Sequence, residues 1–217
     1  MKIFSLPPGA VQGLIFDMDG TLYTHPEYLA SQSELPLRRL AESQHKTYEV
    51  MKAEFDAYRA NWQKEHQDDP SRAKISMGNT FKFFGITIEE NVKWREELYQ
   101  PEQYLKPDPV LRKTLERLAV SRRIAVVTNN PVSIARRTLG CLGVEIPVVI
   151  GLDTCMVSKP HRAPFQAALD LLGCPAERCV AIGDRYEIDL ALPIEMGMGG
   201  ILVDGVEDVY TLPELLG

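Results

Sequence analysis

Four short apolar runs constrain the fold of this chain more than any other feature: Ile124-Ala125-Val126-Val127, Val148-Val149-Ile150, Cys179-Val180-Ala181-Ile182 and Gly200-Ile201-Leu202-Val203. Each is too uniformly apolar to keep a solvated face, so each reads as a strand buried on both sides. Helical periods lie between them. Leu111, Leu115 and Leu118 mark a helix over 109–119, Asn130-Pro131 supplies an N-cap and an N1 proline for a helix ending near Gly140, and a further helix runs to about Leu172-Gly173. Pro164 and Pro193 fit if each sits in a first turn, where the missing N–H has no partner anyway, which places helix starts near His161 and Asp189. Strands alternating with helices in this way build a parallel sheet covered by helices. Leu14-Ile15-Phe16 has the same character and belongs to the same sheet.

Residues 24–104 follow a different pattern, with no convincing strand. Ala41, Tyr48, Met51, Phe55, Tyr58 and Trp62 recur at helical spacings and predict one long amphipathic helix from about Leu37 to Gln63, its aromatic stripe serving for packing. Arg38, Arg39, Lys46, Lys52 and Arg59 then form a solvated face. Asp68-Asp69-Pro70-Ser71 ends that region and starts a second helix with Met77, Phe81 and Phe84 on its apolar side and Gly85 as cap, and Ile88, Val92 and Tyr99 mark a third. The expected fold is α/β: a doubly wound, mostly parallel Rossmann-like core of residues 1–23 and 105–217, with residues 24–104 inserted as an all-helical cap. A length of 217 residues suits one sizeable core plus a subdomain.

The formal charge of -6 offers no general attraction to nucleic acid or to an anionic membrane, so neither is expected as a partner, and an anionic ligand must be held by local positive groups. Cys141, Cys155, Cys174 and Cys179 show no CxxC spacing and no histidine cluster, which favours free thiols. Met1 to Leu6 is followed at once by Pro7-Pro8-Gly9, with no apolar segment long enough for a signal peptide or a membrane span. A cytoplasmic, reduced protein is expected.

Chemistry-bearing residues gather where strands end, the edge at which open α/β sheets keep their ligands. Asp17-Met18-Asp19-Gly20-Thr21 follows Leu14-Ile15-Phe16 and sets two carboxylates at a strand mouth, with nucleophilic attack, proton transfer and metal ligation all available to them. Thr128 and Asn129 follow the strand ending at Val127; a hydroxyl and free helix N–H groups can bind an anion there, although capping is the plainer reading. Lys159 lies after the strand ending at Ile150, where Pro160 biases it toward extended backbone. Gly183-Asp184 follows the strand 179–182, and Asp189 stands where it would cap the next helix. A third carboxylate at one sheet edge would be strongly repelled unless a cation sat among the group, and oxygen-only ligands suit Mg²⁺.

DMDGT at 17–21, Thr128, Lys159-Pro160 and Gly183-Asp184 with Asp189, in this order and spacing, resemble the four motifs of the haloacid dehalogenase (HAD) superfamily, and the helical insert resembles its C1 type of cap. The resemblance covers nearly the whole chain. It implies a phosphatase in the phosphoglycolate phosphatase and β-phosphoglucomutase branch, acting on a small phosphorylated substrate. Asp17 would be the nucleophile that forms an aspartyl-phosphate and Asp19 the acid/base. Thr128, Asn129 and Lys159 would hold the phosphoryl group. Mg²⁺ would be bound by Asp17, the backbone carbonyl of Asp19 and Asp184, with Asp189 near the metal or orienting Lys159. Asp19 stands where the dehalogenases of this superfamily carry an aromatic residue and the phosphonate hydrolases an alanine, so its carboxylate favours phosphoryl transfer. A phosphomutase ranks second, since Pro70-Ser71-Arg72 lacks the glycine of the mutases' cap loop; a non-enzymatic phosphoester-binding module ranks third, since Asp17, Asp19, Lys159 and Asp184 are all present.

Overall fold

All five apolar runs become strands of one sheet. The computed structural model describes residues 1–69 and 74–217, and its strands are β1 (Lys2–Ser5), β2 (Gly13–Phe16), β3 (Arg123–Val127), β4 (Val148–Ile150), β5 (Cys179–Gly183) and β6 (Gly199–Leu202). Their order across the sheet is β1-β6-β5-β2-β3-β4. Neighbours are parallel throughout except β1, which pairs antiparallel with β6 at one edge. The pleat sends alternate side chains to opposite faces. Leu14 and Phe16 accordingly pack in one buried cluster, and Ile15 packs in another with Ala125, Val127 and Ile150.

Between β2 and β3 the chain forms α1 (Pro26–Ser43), α2 (Tyr48–Glu65), α3 (Met77–Phe83), α4 (Ile88–Leu98) and α5 (Pro101–Tyr104). This insert has its own apolar centre, made by Leu37, Leu40 and Ala41 of α1, Met51 and Phe55 of α2, Phe81 of α3, and Ile86. The core helices are α6 (Pro109–Ala119), α7 (Val132–Leu142), α8 (Leu152–Cys155), α9 (Arg162–Leu172), α10 (Ala191–Glu195), α11 (Val206–Tyr210) and α12 (Leu212–Leu216), with a π-helical turn over Tyr186–Leu190. Helices α6 and α7 cover the Leu14 face through Leu111, Leu115, Leu118, Leu139 and Leu142, and α9 covers the Ile15 face through Phe165, Ala168 and Leu169. Both faces are buried, as the uniformly apolar strands require. All four cysteines are free, and among the described residues no helix is long and apolar enough to cross a membrane.

The single long helix expected over Leu37 to Gln63 is two helices. Helix α1 stops at Ser43, His45 takes left-handed backbone at φ 55°, and its N–H bonds Glu42 O at 3.1 Å while that of Lys46 bonds Ala41 O at 2.9 Å. These two bonds satisfy the last carbonyls of α1 in the manner of a Schellman cap. Thr47 then caps α2 by accepting from the Val50 N–H at 3.3 Å. A non-glycine residue in left-handed backbone costs about 1–2 kcal/mol. Replacing His45 with glycine is therefore expected to raise stability by about 0.5–1 kcal/mol, offset in part by glycine's greater freedom in the unfolded chain, as read by urea unfolding.

Two helix ends also move. Helix α7 runs past Gly140 to Leu142, because Gly143, at φ 69°, is the residue that takes the left-handed cap and donates to Gly140 O and Leu139 O. Its N-cap is Pro131 and not Asn130, whose side chain is engaged elsewhere. The stretch Pro70-Ser71-Arg72, on which the mutase alternative bears, lies outside the described residues, as do Pro70 and Ser71 of the expected helix start. Charged residues of the insert pair on its surface, Arg38 with Glu34, Arg39 with Glu97, Lys46 with Glu54 and Lys52 with Asp56, contacts that contribute little each. Arg59 is exposed and donates to Ile75 O at 3.3 Å.

Candidate active site

Strand β2 lies between β3 and β5 with Phe16 level with Val126 and Ile182, so the residues after all three strands emerge side by side. The chain runs outward from β2 to β3 and β4, then returns to β5 and β6 on the other flank. The crevice at such a reversal is where doubly wound sheets bind ligands. Asp17 continues β2 by donating its N–H to Ile182 O at 2.8 Å, and Met18 turns into the core. Gly20 makes the turn at φ 83°, and a Cβ there would lie 2.6 Å from Asp184 Oδ2. Only a residue without a side chain lets the Asp19 loop and Asp184 share this space.

Asp17, Lys159 and Asp189 form a buried chain of charge. Lys159, 1% exposed, donates from Nζ to Asp17 Oδ1 and to Asp189 Oδ1, each at 2.6 Å. Burial alone would lower its pKa, but the charges of Asp17 and Asp189 outweigh it and hold the ammonium above its ordinary range. The Lys159 backbone is fixed too: its N–H donates to Asn129 Oδ1 at 2.7 Å, and Asn129 Nδ2 donates to Lys159 O at 3.4 Å. Asn129 is thereby placed as a brace for the lysine loop. Asp189 Oδ2 accepts the Arg185 N–H at 3.1 Å.

Ligand oxygens of Asp17, Asp184 and Asp189 all lie within 4.8 Å of one another. The Arg185 guanidinium faces them at 3.4 Å from Asp17 Oδ2, 3.5 Å from Asp184 Oδ1 and 3.4 Å from Asp189 Oδ2, distances too long for strong hydrogen bonds. Asp184 Oδ1 is buried and accepts none. Burial first, and then the charge of Asp17, push the Asp184 carboxyl up to about 7. Three carboxylates against Lys159 and Arg185 leave net negative charge and an orphaned oxygen, a donor set that fits a hard divalent cation. An acid whose folded pKa is raised favours folding while it is protonated, so this contribution is lost as pH rises from the unfolded value near 3.8 through about 7. A bound divalent cation reverses that loss. The rise in Tm on adding Mg²⁺ is therefore expected to be larger at pH 8 than at pH 6, and Asp184→Asn is expected to abolish the difference; equal shifts at both pH values would remove the cation from this cluster.

Asp19 is turned the other way. Its Oδ1 accepts from Tyr23 Oη at 2.5 Å and Gln32 Nε2 at 3.1 Å, and its Oδ2 from Asn130 Nδ2 at 2.8 Å and Thr128 Oγ1 at 3.4 Å. Burial, and then the charge of Asp19, hold the Tyr23 hydroxyl well above its usual range, so it stays a donor. Thr128 Oγ1 also accepts the Asn130 N–H at 3.1 Å, so this hydroxyl serves both the capping turn and Asp19. Gln32 comes from α1 of the insert and Asn130 from the loop after β3. Asn130 Oδ1 in turn accepts from Arg95 Nη1 of α4 at 2.7 Å. Its amide is thus held in this network instead of capping α7. The two aspartates at the strand mouth consequently have different surroundings: Asp17 faces a lysine and an acidic cluster, Asp19 a set of neutral donors drawn from both lobes.

All seven residues singled out from the sequence, Asp17, Asp19, Thr128, Asn129, Lys159, Asp184 and Asp189, lie around this crevice. The carboxylate cluster suited to a cation adds Asp189 to Asp17 and Asp184; Asp19 was expected to contribute its backbone carbonyl, and its carboxylate is engaged by Tyr23, Gln32, Asn130 and Thr128. Tyr23, Gln32, Arg95, Asn130 and Arg185 are additions. Asn130 and Arg185 stand beside marked residues; Gln32 and Arg95 carry no local signal, being single polar residues on ordinary helices.

Residues 11–197 match the family model described as haloacid dehalogenase-like hydrolase. A phosphoglycolate phosphatase of Aquifex aeolicus is 28% identical over 174 residues, 79% of this chain and 75% of that protein. A phosphoglycolate phosphatase of Colwellia psychrerythraea is 38% identical over a shorter stretch, 39% of this chain and 38% of that one. The crystal structure of a HAD phosphatase from Thermococcus onnurineus superposes with a TM-score of 0.63 over 95% of this chain and 98% of its own, at 20% identity, a likeness of fold.

Proposed function

The chain belongs to the haloacid dehalogenase-like hydrolases, and from that premise we propose that it is a Mg²⁺-dependent phosphatase that hydrolyses a small phosphorylated metabolite through an aspartyl-phosphate on Asp17. The observation that carries this reading is the division of surroundings between Asp17 and Asp19 at the mouth of β2. Lys159 fixes Asp17 through Oδ1 at 2.6 Å, and Oδ2, 3.4 Å from the Arg185 guanidinium, is the oxygen that would attack phosphorus. As the Asp17 oxygen bonds to phosphorus, the bond to the leaving oxygen breaks, and Asp19 in its protonated form gives that oxygen a proton. Water then attacks the aspartyl-phosphate, Asp19 takes the proton back, and inorganic phosphate leaves with Asp17 restored.

The donors around Asp19 fix the orientation of its carboxylate, and proton transfer of the kind proposed for it contributes about 10² to 10⁴ in rate. Charge neutralisation must supply much of the remainder. Lys159 and the Thr128 hydroxyl would contribute to it on the phosphoryl oxygens. Mg²⁺ held by Asp17, Asp184 and the Asp19 carbonyl, with Asp189 within reach, would offset the repulsion between an anionic nucleophile and a dianionic substrate. Residues 24–104 would act as the cap, since α1 and α4 place Gln32 and Arg95 over the strand ends. A phosphate-release screen over small phosphorylated metabolites, with Mg²⁺ and with a chelator, tests the reading. Metal-dependent release is expected; a phosphorylated isomer formed without release would replace hydrolysis by phosphoryl return.

A further inference from the structure

Two cations share the acidic cluster, and they are held in different ways. Lys159, 1% exposed, takes Asp17 Oδ1 and Asp189 Oδ1, each at the 2.6 Å of a strong charged hydrogen bond. Arg185 faces the opposite oxygens: Asp17 Oδ2 at 3.4 Å, Asp189 Oδ2 at 3.4 Å, and in addition Asp184 Oδ1 at 3.5 Å. Asp17 and Asp189 thus each give one oxygen to the lysine and turn the other toward the arginine.

All three arginine contacts exceed the length of about 2.7–2.9 Å that a charge-assisted N–H···O bond takes. Arg185 Nε and Asp184 Oδ1 stand 3.5 Å apart, both are buried, and neither has a hydrogen-bond partner. A donor and an acceptor that face each other in this way are held by charge and not by geometry. The rest of the side chain has a way out, being 41% exposed, whereas that of Lys159 has none. The oxygens left open by the lysine are also those that suit a hard divalent cation, which binds carboxylate oxygens directly and at close range. A guanidinium resting on them stands in the way of that contact.

We infer that Arg185 is an exchangeable counter-ion: it neutralises the oxygens of Asp17, Asp184 and Asp189 that a divalent cation would take, and it turns out toward solvent to let the cation in. The inference rests on the cation reading of this cluster and is independent of the substrate. Affinity for a site falls with the fraction of molecules in which the site is open, so Arg185 sets how tightly Mg²⁺ is held. Calorimetric titration of the full chain with Mg²⁺ alone is the test. Arg185→Gln is expected to bind Mg²⁺ about tenfold more tightly than the wild type, the factor for a guanidinium that leaves the oxygens about one-tenth of the time. The same variant should have a lower Tm than the wild type in chelator and gain more from Mg²⁺. Arg185→Lys, which keeps the charge but presents it at one point, should bind with intermediate affinity, and it keeps the test open if the glutamine variant does not fold without metal. In Arg185→Ala, guanidinium ion added below denaturing concentration should weaken Mg²⁺ binding again, which a purely structural role for Arg185 would not produce. Equal or weaker Mg²⁺ binding by the glutamine and lysine variants would overturn the exchange and make Arg185 a support of the cation site. Absence of Mg²⁺ binding from the wild type and every variant would remove the cation reading itself, and the exchange with it.

Discussion

Replacing Asp17 with asparagine is expected to lower phosphate release by at least about 10⁴-fold, the scale on which enzymes lose rate when their nucleophile is removed. The amide is nearly isosteric and keeps an oxygen that can accept from Lys159, so the contact at 2.6 Å survives in weakened form. Electrostatics make the substitution tolerable to the fold. Asp17, Asp184 and Asp189 outnumber Lys159 and Arg185 by one charge, and the variant evens the balance. Much of what raises the Asp184 carboxyl, after burial, is the charge of Asp17. Thermal unfolding without metal should therefore change by only a few degrees while turnover is lost. Release at a wild-type rate from this variant would end the covalent mechanism; loss of folding instead would show that Asp17 is needed first for structure.

The residues that could be read in the sequence are those whose type and place in the pattern coincide. Leu14-Ile15-Phe16 and the four other apolar runs mark buried strands by composition alone, and a carboxylate or lysine at the end of such a run is conspicuous. Strand β1 lacked that mark: Lys2, Ile3 and Phe4 are exposed, and the strand is held at the sheet edge by its backbone pairing with β6. The break at His45 was hidden because a left-handed cap usually announces itself by glycine, and here a histidine fills it. Gln32 and Arg95 were hidden for another reason. Their roles exist only once α1 and α4 lie over the strand ends, bringing Gln32 to Asp19 and Arg95 to Asn130 across 13 and 35 residues of chain. The spacing rules that reveal helices within a segment contain nothing about which helix will face which loop. The strand-end edge was thus legible and its roof was not.

Replacing Lys159 with methionine carries the second large effect, and it falls on stability as well as on rate. The ammonium is fully enclosed and bonds Asp17 and Asp189 at the same 2.6 Å, so it joins the strand end of β2 to the turn that follows β5. Methionine fills a similar volume but leaves three carboxylates facing Arg185, whose guanidinium stands 3.4–3.5 Å away on a side chain that is 41% exposed. Breaking a buried ion pair by deleting one partner typically costs about 3–5 kcal/mol, because the remaining charge stays buried. For a chain of this size that corresponds to a fall in Tm of about 10 °C, measured by calorimetry with a chelator present. Mg²⁺ should then raise the Tm of the variant more than that of the wild type, since a cation in the cluster relieves a larger excess of negative charge. Substituting arginine should not restore the loss, because its planar fork cannot present one atom to two carboxylates in so closed a space. A variant as stable as the wild type, with an unchanged response to Mg²⁺, would mean that Lys159 serves the phosphoryl group alone; the combined loss of stability and enlarged metal response would show that the same lysine holds the acidic site together before substrate arrives.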